Sequence, residues 1–431
     1  MHPFLFERMI GAVDPAARPG EVVNIYDKTD AYFGRGLFNP RSRIVVRVLT
    51  HAEEPVDDAF WHRKIEAAAV LRRALRLDEV TDAYRLVHAE GDGLSGLVVD
   101  RLGDCVVCEF FALGMFERRE LLSAALLDAI GNTGGPAGGR ASDSDVGSRA
   151  AFTAPLAIEA TGAARPVESV PAGPVETRAA RRGPRRGGPT SVQRVVFRAD
   201  HAIQKLEGFR VPPADGAART QVHEHGVRYF VDLAVGHKTG FFCDQRENRL
   251  RFARLCADAT VLDLCCYTGG FGLSAKRLGP ARDVTCVDLD EEALAVARDN
   301  ANLNQARLEL VHADAFVYMR QMIANGRQYD AVVLDPPKLA MSREQFDEAL
   351  RKYFDLNQLA VQLVRPGGFF LTCSCSGLVS RDDFVSTVHR AATRARRTLQ
   401  MFDLTGAGAD HPVMLSCPES AYLKALWARV V

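Results

Sequence analysis

The sequence has 431 residues, with 54 Lys plus Arg against 54 Asp plus Glu, and its 47% hydrophobic and 25% charged composition is ordinary for a globular protein of two or three domains. These values exclude a collagen, a disulfide-stabilised miniprotein and a wholly disordered chain, and the zero net charge means that any nucleic-acid contact must come from local basic clusters. No apolar stretch approaches the roughly 18 residues of a membrane span and the first residues lack a leader pattern, so we expect a cytoplasmic protein without a membrane partner.

The first 76 residues are predicted to form a β-rich module. Short strand patterns are punctuated by Gly34, Gly36 and an Asn39–Pro40 turn. Between Ala31 and Thr50 the chain has four arginines and no acidic residue, with aromatic residues interleaved. Such a pattern suits RNA, since guanidinium groups bind phosphates and rings stack on bases, although an exposed polar strand face is the alternative. We therefore predict that RNA is contacted by Arg35, Arg41, Arg43 and Arg47.

Residues 77–230 are predicted to form an α/β middle domain that contains a disordered insertion at 131–192. The insertion consists mostly of Gly, Ala, Pro, Ser and Arg, and it cannot bury enough apolar surface to offset the entropy of ordering. Residues 131–196 hold nine arginines and five acidic residues, a net charge of +4, so the rest of the chain carries −4. A soluble tether and an auxiliary RNA-binding arm are both open interpretations of this segment.

Ten cysteines are spread over the chain, too few for its length to indicate a disulfide framework. Cys105 and Cys108 form a C-x-x-C pair, but they lie inside a strand pattern with no second pair or histidine partner nearby. We therefore interpret them as buried strand residues, expect the cysteines to be reduced, and predict no metal site.

From residue 231 to residue 431 the pattern changes to short apolar strands that alternate with helices. Continuous apolar strands of this kind predict a parallel sheet covered on both faces, the α/β doubly wound arrangement. Ligands of such sheets bind beyond the carboxyl ends of the strands. Residues at these ends are therefore the candidates for a functional site.

Three of these strands are each followed by an acidic residue at the carboxyl end, at Asp263, Asp288 and Asp314. The glycine-rich turn after the first, in residues 263–272, lacks the G-x-G-x-x-G spacing of a dinucleotide site, and Asp263 would repel a diphosphate. It suits a cofactor that bears an ammonium group, while Asp288 can bind a ribose diol and Asp314 an adenine edge. One such Asp alone is commonly a helix N-cap, but three in register predict an S-adenosylmethionine site. Further predicted cofactor-binding residues in the turn are Cys265, Tyr267 and Gly269.

The next two strands carry the predicted chemistry. Asp335 is held at the strand edge by two prolines in a D-P-P-K loop, and Cys373 and Cys375 point to the same face of the following strand. A thiolate added at position 6 of a pyrimidine makes position 5 able to accept a methyl group, and Asp335 is placed to hold the ring nitrogen and amino edge of a cytosine. An inert buried thiol is the alternative. We predict Cys375 as the nucleophile, Asp335 as a catalytic and cofactor-binding residue, and Lys338 as an RNA contact.

Taken together, the motifs resemble the bacterial large ribosomal subunit RNA methyltransferase I family, whose members are cytosine-5 methyltransferases of 23S rRNA. The resemblance covers nearly the whole chain except the insertion and rests on GLFNPRSRIVVRVL, AEGDGLSGLVVDRLGD, GHKTGFFCDQRENR, DLCCYTGGFG, DPPK, SCSGL and ADHPV. It implies a PUA domain at 1–76, the middle domain at 77–230, and a Rossmann-like class I methyltransferase domain at 231–431 with a mostly parallel seven-stranded sheet.

The resemblance also implies an additional wall of the cofactor site and supports Cys375 as the nucleophile. The residues of this wall are Lys238, Thr239, Phe241, Asp244, Gln245 and Arg246. Many cytosine-5 RNA methyltransferases carry a second cysteine beside the fourth-strand proline to assist product release, but the D-P-P-K loop has none, so release must use another base or water.

The expected partner is rRNA, in particular 23S rRNA or a large-subunit precursor, and a homodimer is left open. Two other functions also remain open at this point. One is a base N-methyltransferase in which the D-P-P-K loop orients a nitrogen and Cys375 is structural. The other is a non-catalytic RNA-binding factor of ribosome assembly.

Overall fold

The computed structural model describes residues 1–131, 191–212, 219–233, 240–340 and 342–431. The predicted insertion at 131–192 therefore lies almost entirely outside the described residues, as do Lys238 and Thr239 of the predicted cofactor wall. None of the described helices combines the length and the apolar character needed to cross a membrane.

An antiparallel sheet of four strands occupies the first 50 residues, in the order β1-β4-β3-β2. Its strands are β1 (Phe4–Phe6), β2 (Val22–Tyr26), β3 (Tyr32–Phe38) and β4 (Ile44–Thr50). The predicted turn lies between β3 and β4, where the Ser42 amide donates to the Asn39 carbonyl at 3.1 Å. A Cβ at Gly36 would lie 2.6 Å from the Arg47 carbonyl oxygen, so the close pairing of β3 with β4 requires glycine at this position. The β-rich module is thus confirmed.

A second sheet of four strands follows, in the order β5-β6-β7-β8, with β8 parallel to β7. Helix α1 (Asp58–Ala74) precedes this sheet. Its N-cap residue is Asp57, whose side chain accepts a hydrogen bond from the Phe60 amide. The apolar face of this helix, with Trp61, lies in one core with the second sheet. Cys105 and Cys108 are buried in β7, as the strand pattern predicts. The other elements are β5 (Ala83–His88), β6 (Leu97–Leu102), β7 (Cys105–Phe110), α2 (Leu113–Glu117), α3 (Arg119–Gly131), β8 (Arg194–Arg198), α4 (His201–Glu207), and the hairpin β9 (Arg219–Glu224) and β10 (Val227–Asp232).

The largest sheet has seven strands in the order β13-β12-β11-β14-β15-β17-β16, and β17 runs antiparallel to both of its neighbours. Helices alternate with the strands, which confirms the predicted α/β fold class. The elements are α5 (Arg246–Ala253), β11 (Thr260–Leu264), α6 (Gly270–Leu278), β12 (Asp283–Asp288), α7 (Glu291–Leu303), β13 (Glu309–His312), α8 (Ala315–Ala324), β14 (Tyr329–Leu334), α9 (Phe346–Gln362), β15 (Val364–Ser374), α10 (Arg381–Arg394), β16 (Leu399–Thr405) and β17 (Lys424–Val430).

The order of the strands in the seven-stranded sheet determines where a ligand can bind. The chain runs outward from β11 through β12 to β13 and then returns to β14 on the other side of β11. Connections that leave in opposite directions from β11 and β14 open a crevice beyond their carboxyl ends, where ligands of α/β sheets bind. All of the strand-end residues named above belong to this edge.

Candidate active site

The turn between β11 and α6 has a strained backbone. Cys265 (φ 60°), Tyr267 (φ 50°) and Gly269 (φ 80°) all adopt the left-handed region, which residues other than glycine rarely enter. Such conformations concentrate at ligand sites and persist only where the surroundings hold them. Here the Tyr267 amide donates to Asp288 Oδ2 at 2.7 Å, so the end of β12 fixes the turn.

Asp263 is fully buried in β11 beneath this turn. Its Oδ2 accepts a hydrogen bond from the Gly272 amide at 2.8 Å, whereas its Oδ1 has no hydrogen-bond partner among the described residues. Burial raises the pKa of this carboxyl to about 7, and the neighbouring carboxylates of Asp335 and Asp288 add to the increase. A cationic ligand group at the turn would satisfy the free oxygen and offset this repulsion. The ammonium group of S-adenosylmethionine, a cationic hydrogen-bond donor, therefore fits the free acceptor oxygen and the negative charges that the site presents.

The predicted acids all act electrostatically on one residue of the turn, Cys265. Burial raises the pKa of the Cys265 thiol, and Asp288, Asp335, Asp263 and Asp314 each raise it further. Asp314 also caps helix α8, because its Oδ1 accepts from the Val317 amide at 3.0 Å. The helix N-cap that we named as the alternative for a single Asp is thus present at Asp314, together with the convergence expected of a ligand site.

Two exposed apolar residues beside these acids were missed by the sequence reasoning. Leu289 directly follows Asp288 and is 66% exposed, and Val317 lies one turn after Asp314 and is 60% exposed. Exposed aliphatic side chains at a strand end and at a helix start suit the flat face of an adenine ring. Their position in the sequence, next to the strand-end acids, could have identified them as candidates for adenine contact.

Asp335 is the first residue after β14, and Gln245 orients it. Gln245 Nε2 donates to Asp335 Oδ2 at 3.0 Å, and Gln245 Oε1 accepts from Asn248 Nδ2 at 2.7 Å, which fixes the orientation of the Gln245 amide. Gln245 is itself buried. The structure therefore brings this residue of the predicted wall to the edge, as a partner of Asp335.

The two cysteines at the end of β15 have different surroundings. Cys373 is fully buried, and burial raises the pKa of its thiol well above its usual range. Cys375 is the first residue after β15 and is partly exposed at the carboxyl edge. Of the two, Cys375 is the one that a substrate at this edge can reach.

Ser376 connects, by hydrogen bonds, the loop that contains Asp335 and the turn that contains Cys375. Its hydroxyl accepts from the amides of Leu339 and Ala340, both at 3.2 Å, and lies 3.0 Å from the Tyr353 hydroxyl. Ser374 donates to the same tyrosine at 2.9 Å. The loop after β14 and the turn after β15 are therefore held as one unit from helix α9.

The side chains of the remaining described residues of the predicted wall have partners within the protein. Phe241 is buried against Tyr229, with ring centroids 5.1 Å apart, and it is Phe242 whose ring lies 5.0 Å from that of Tyr267. Arg246 is fully buried and donates to Asp410 at 2.8 Å and to Glu247 at 2.7 Å. Core packing and an ion pair thus engage the side chains of Phe241 and Arg246, and direct cofactor contact by these two residues stays a prediction.

Asp244, the other member of that wall, is buried and accepts a hydrogen bond from the Tyr422 hydroxyl. Its carbonyl oxygen accepts from the Gly408 amide at 3.0 Å. Asp244 therefore joins the segment before α5 to the loop between β16 and β17.

The predicted RNA contacts fall into two groups. Arg41, Arg43 and Lys338 are exposed, and Arg35 is partly exposed with its Nε donating to Asn24 Oδ1 at 2.9 Å. Arg47 is buried instead: it donates to the Ser95 hydroxyl and the Phe111 carbonyl at 3.2 and 3.3 Å, and its guanidinium lies 3.6 Å from Glu90. The prediction for Arg47 is therefore corrected to a packing role between the first and second sheets.

Arg43 lies near the loop that follows Asp335. A hydrogen bond with Ser342 lowers the pKa of Glu344, and the Arg43 guanidinium lowers it further. This electrostatic effect links Arg43, in the turn between β3 and β4, to the segment that contains Glu344.

Comparisons with known proteins agree with this architecture. The family model of S-adenosylmethionine-dependent methyltransferases matches residues 175–416, and that of the PUA-like domain matches residues 1–51. The ribosomal RNA large subunit methyltransferase I of Klebsiella pneumoniae (strain 342) is 35% identical over 439 residues, which cover 100% of this chain and 94% of that protein. The protein of the same name from Aliivibrio fischeri (strain MJ11) is 34% identical over 100% of this chain and 96% of its own length.

Among solved structures, the chain is similar to SMU.776 complexed with SAH. The TM-score is 0.74 with 19% sequence identity, and the match covers 100% of this chain and 96% of that one. A likeness at this identity shows that the two chains share a fold.

Proposed function

The chain belongs to the S-adenosylmethionine-dependent methyltransferases and, among them, to the ribosomal RNA large subunit methyltransferase I family, and from this premise we propose that it methylates carbon 5 of a cytosine in 23S rRNA. It is an RNA methyltransferase with a PUA-like domain at its start, its cofactor is S-adenosylmethionine, and rRNA is its substrate class. The observation that carries the finer proposal is the partly exposed Cys375 at the end of β15, held in one unit with Asp335 by the Ser376 hydroxyl.

The residues present can bind the cofactor at the acidic end of the edge. Asp263, with one buried oxygen unpartnered among the described residues, would pair with the ammonium group, and Asp288 and Asp314 would hold the ribose and adenine. Bound S-adenosylmethionine would supply the methyl group as an electrophile attached to a positively charged sulfur. We extend the proposal to Cys265, Tyr267 and Gly269, which form the strained turn around this position.

Cys375 would act as the nucleophile. Its thiolate would form a bond to carbon 6 of cytosine, and the electron pair of the 5,6 double bond would move to carbon 5, which then accepts the methyl group. Asp335 would accept a hydrogen bond from the amino group and, when protonated, donate to the ring nitrogen as charge builds on the ring. Loss of the carbon 5 proton restores the double bond and expels the Cys375 thiolate.

The base that removes this proton differs from that of enzymes with a second cysteine. The loop at 335–338 contains no cysteine, and Cys373 is buried before the edge. We therefore propose that water or another base takes the carbon 5 proton.

The domain bounds 1–76, 77–230 and 231–431 are part of this proposal, as is an RNA path over Arg35, Arg41, Arg43 and Lys338. A homodimer also stays a prediction. RNA that reaches from the first sheet to the edge would pass the region where Arg43 acts on Glu344.

The covalent step can be tested with the full chain, S-adenosylmethionine and rRNA transcripts that carry 5-fluorocytosine. Fluorine at carbon 5 cannot leave as a proton does, so the wild-type protein should remain bonded to the RNA, as a slow band on a denaturing gel that mass spectrometry maps to Cys375. Cys375→Ala should give no adduct and still bind S-adenosylmethionine in calorimetry. An adduct in the variant, or full methyl transfer by it, would exclude Cys375 as the nucleophile.

Nucleosides of rRNA from cells with and without the gene identify the product. Loss of 5-methylcytidine on deletion is the expected result. Loss of a nucleoside methylated on nitrogen would instead indicate a base N-methyltransferase. An unchanged nucleoside profile together with no cofactor binding would indicate an RNA-binding assembly factor.

A further inference from the structure

Lys424 is a buried lysine that the reaction described above does not use. It is the first residue of β17 and pairs with Ser374 of β15, so it lies next to the turn that begins with Cys375. Its exposed fraction is only 2%. Lysine is almost never fully buried unless it has a partner that requires its charge.

The ammonium group of Lys424 binds the turn directly. Nζ donates to the Ser376 carbonyl at 2.6 Å and to the Tyr422 carbonyl at 2.8 Å. These bonds connect the residue after Cys375 to the start of β17, and the hydroxyl of the same serine lies 3.0 Å from the Tyr353 hydroxyl. The backbone on both sides of the Cys375 sulfur is therefore held.

No carboxylate lies within ion-pair distance of Nζ in the part of the chain that the structure describes. Burial lowers the pKa of Lys424 to about 8, Arg381 and Lys338 lower it further, and the Cys375 thiol opposes them. A buried cation without a carboxylate is unfavourable, and a methionine would fill the same space without that cost. Among the groups that act on Lys424, Cys375 is the one that raises its pKa, as a negative neighbour does.

We propose that Lys424 is a positioning residue for Cys375, which fixes the turn after β15 through the Ser376 carbonyl and stabilises the attacking thiolate with a buried positive charge. This inference rests on the proposed role of Cys375 as the nucleophile. A cation next to a cysteine favours the thiolate, which is the reactive form. Charged or titratable groups that act on this pair include Lys338 and Arg381, which act on Lys424, and Tyr353 and Cys373, which interact with Cys375.

The test measures the reactivity of Cys375 apart from methyl transfer. Wild type and Lys424→Met are treated with iodoacetamide at pH 7, and labelling of the Cys375 peptide is followed by mass spectrometry. Lys424→Met should be labelled about 10-fold more slowly, and its kcat should fall by a similar factor while KM for RNA and cofactor stays within about twofold. Lys352→Met, at an exposed lysine paired with Glu348, is the matched control and should behave as wild type.

Labelling of Lys424→Met within twofold of the wild-type rate would overturn the proposal. Alkylation measures the reactivity of the Cys375 thiol and does not depend on methyl transfer. A failure of the Lys424 proposal can therefore be distinguished from a 5-fluorocytosine result that excludes Cys375 as the nucleophile. Calorimetry with S-adenosylmethionine checks that each variant is folded.

A second test uses the pH dependence of the Lys424→Arg variant. If Lys424→Met does not fold, this test alone decides whether the proposal holds. The pKa of Lys424 is about 8, so the wild type loses this positive charge as the pH rises through about 8, whereas an arginine keeps it. Lys424→Arg should retain at least about a third of the wild-type rate at pH 7, and the alkaline decline of kcat/KM should move up by about one pH unit or more. An unchanged alkaline decline, or an inactive Lys424→Arg enzyme with intact cofactor binding, would overturn the proposal.

Discussion

The carboxyl edge of the seven-stranded sheet has an acidic half, at the ends of β11 to β13, and a half at the ends of β14 and β15 where basic groups accompany Asp335, and each half has a cysteine at the edge. Where β11 to β13 end, Cys265 lies among four carboxylates, and burial together with these charges raises the pKa of its thiol. Where β14 and β15 end, Cys375 lies beside Lys424, with Lys338 and Arg381 near the same lysine. Under the proposed function, the charge of the surroundings, and not the position at a strand end, would distinguish the thiol that lines the cofactor site from the thiol that attacks.

The largest expected effect is the difference between removing one thiol and the other. Cys375→Ala should lower kcat by at least about 10³-fold, because the covalent step is lost, while cofactor affinity is retained. Cys265→Ala should change kcat by less than about threefold and act mainly on KM for the cofactor, because its thiol only lines the site. Steady-state transfer of a labelled methyl group to rRNA measures both. An active Cys375→Ala with an inactive Cys265→Ala would reverse the assignment of the two halves.

The proposed role of the acidic half in cofactor binding can be tested by substituting Asp263. The pKa of this buried carboxyl is raised from 3.8 to about 7, so the folded chain holds a proton that the unfolded chain releases; stability falls as the pH rises from about 4 to about 7, and the loss is then complete and constant above pH 7. Asp263→Asn should therefore stabilise the cofactor-free protein by about 1 to 3 kcal/mol at pH 8. It should weaken S-adenosylmethionine binding by about 10- to 100-fold, since the ammonium group loses its charged partner.

Thermal unfolding and calorimetry between pH 6 and 8 check both effects of Asp263→Asn. Wild-type affinity for the cofactor should fall as the pH drops below about 7, because Asp263 is then protonated, and the variant should lose this dependence. Equal affinity of variant and wild type at pH 8 would remove Asp263 from the cofactor site.

Sequence reasoning reached the strand-end residues more easily than the residues that support them. A strand such as β14, with every residue buried, reads as a continuous apolar run, and the residue after it must lie at the sheet edge, which placed Asp335. Gln245, Ser376 and Lys424 act through contacts with residues distant in sequence, and no local pattern marks such contacts. Only the resemblance to a known family pointed to Gln245.

The same limit explains the correction at Arg47. Strand β4 is buried on both faces at its centre, so the alternation of residues cannot show which arginine faces water. Arg47 is covered by the second sheet through Ser95 and Phe111, whereas Arg43 lies in the turn before the strand. Burial of this kind depends on how the two sheets pack against each other, which the pattern of basic residues in the sequence does not indicate.

The smallest expected effect compares these two arginines. Arg43→Ala should weaken rRNA binding by about two- to fivefold and reduce the salt dependence by about one phosphate contact, with no change in unfolding, because the side chain is exposed. Arg47→Met should reduce the free energy of unfolding by about 1 to 3 kcal/mol, since it leaves the partly buried Glu90 carboxylate without its cation and the Phe111 carbonyl without the Arg47 donor. Salt-titrated binding and denaturant unfolding of both variants measure these effects. An Arg43→Ala variant with unchanged salt dependence would remove Arg43 from the RNA path and leave Arg35, Arg41 and Lys338 as its candidates.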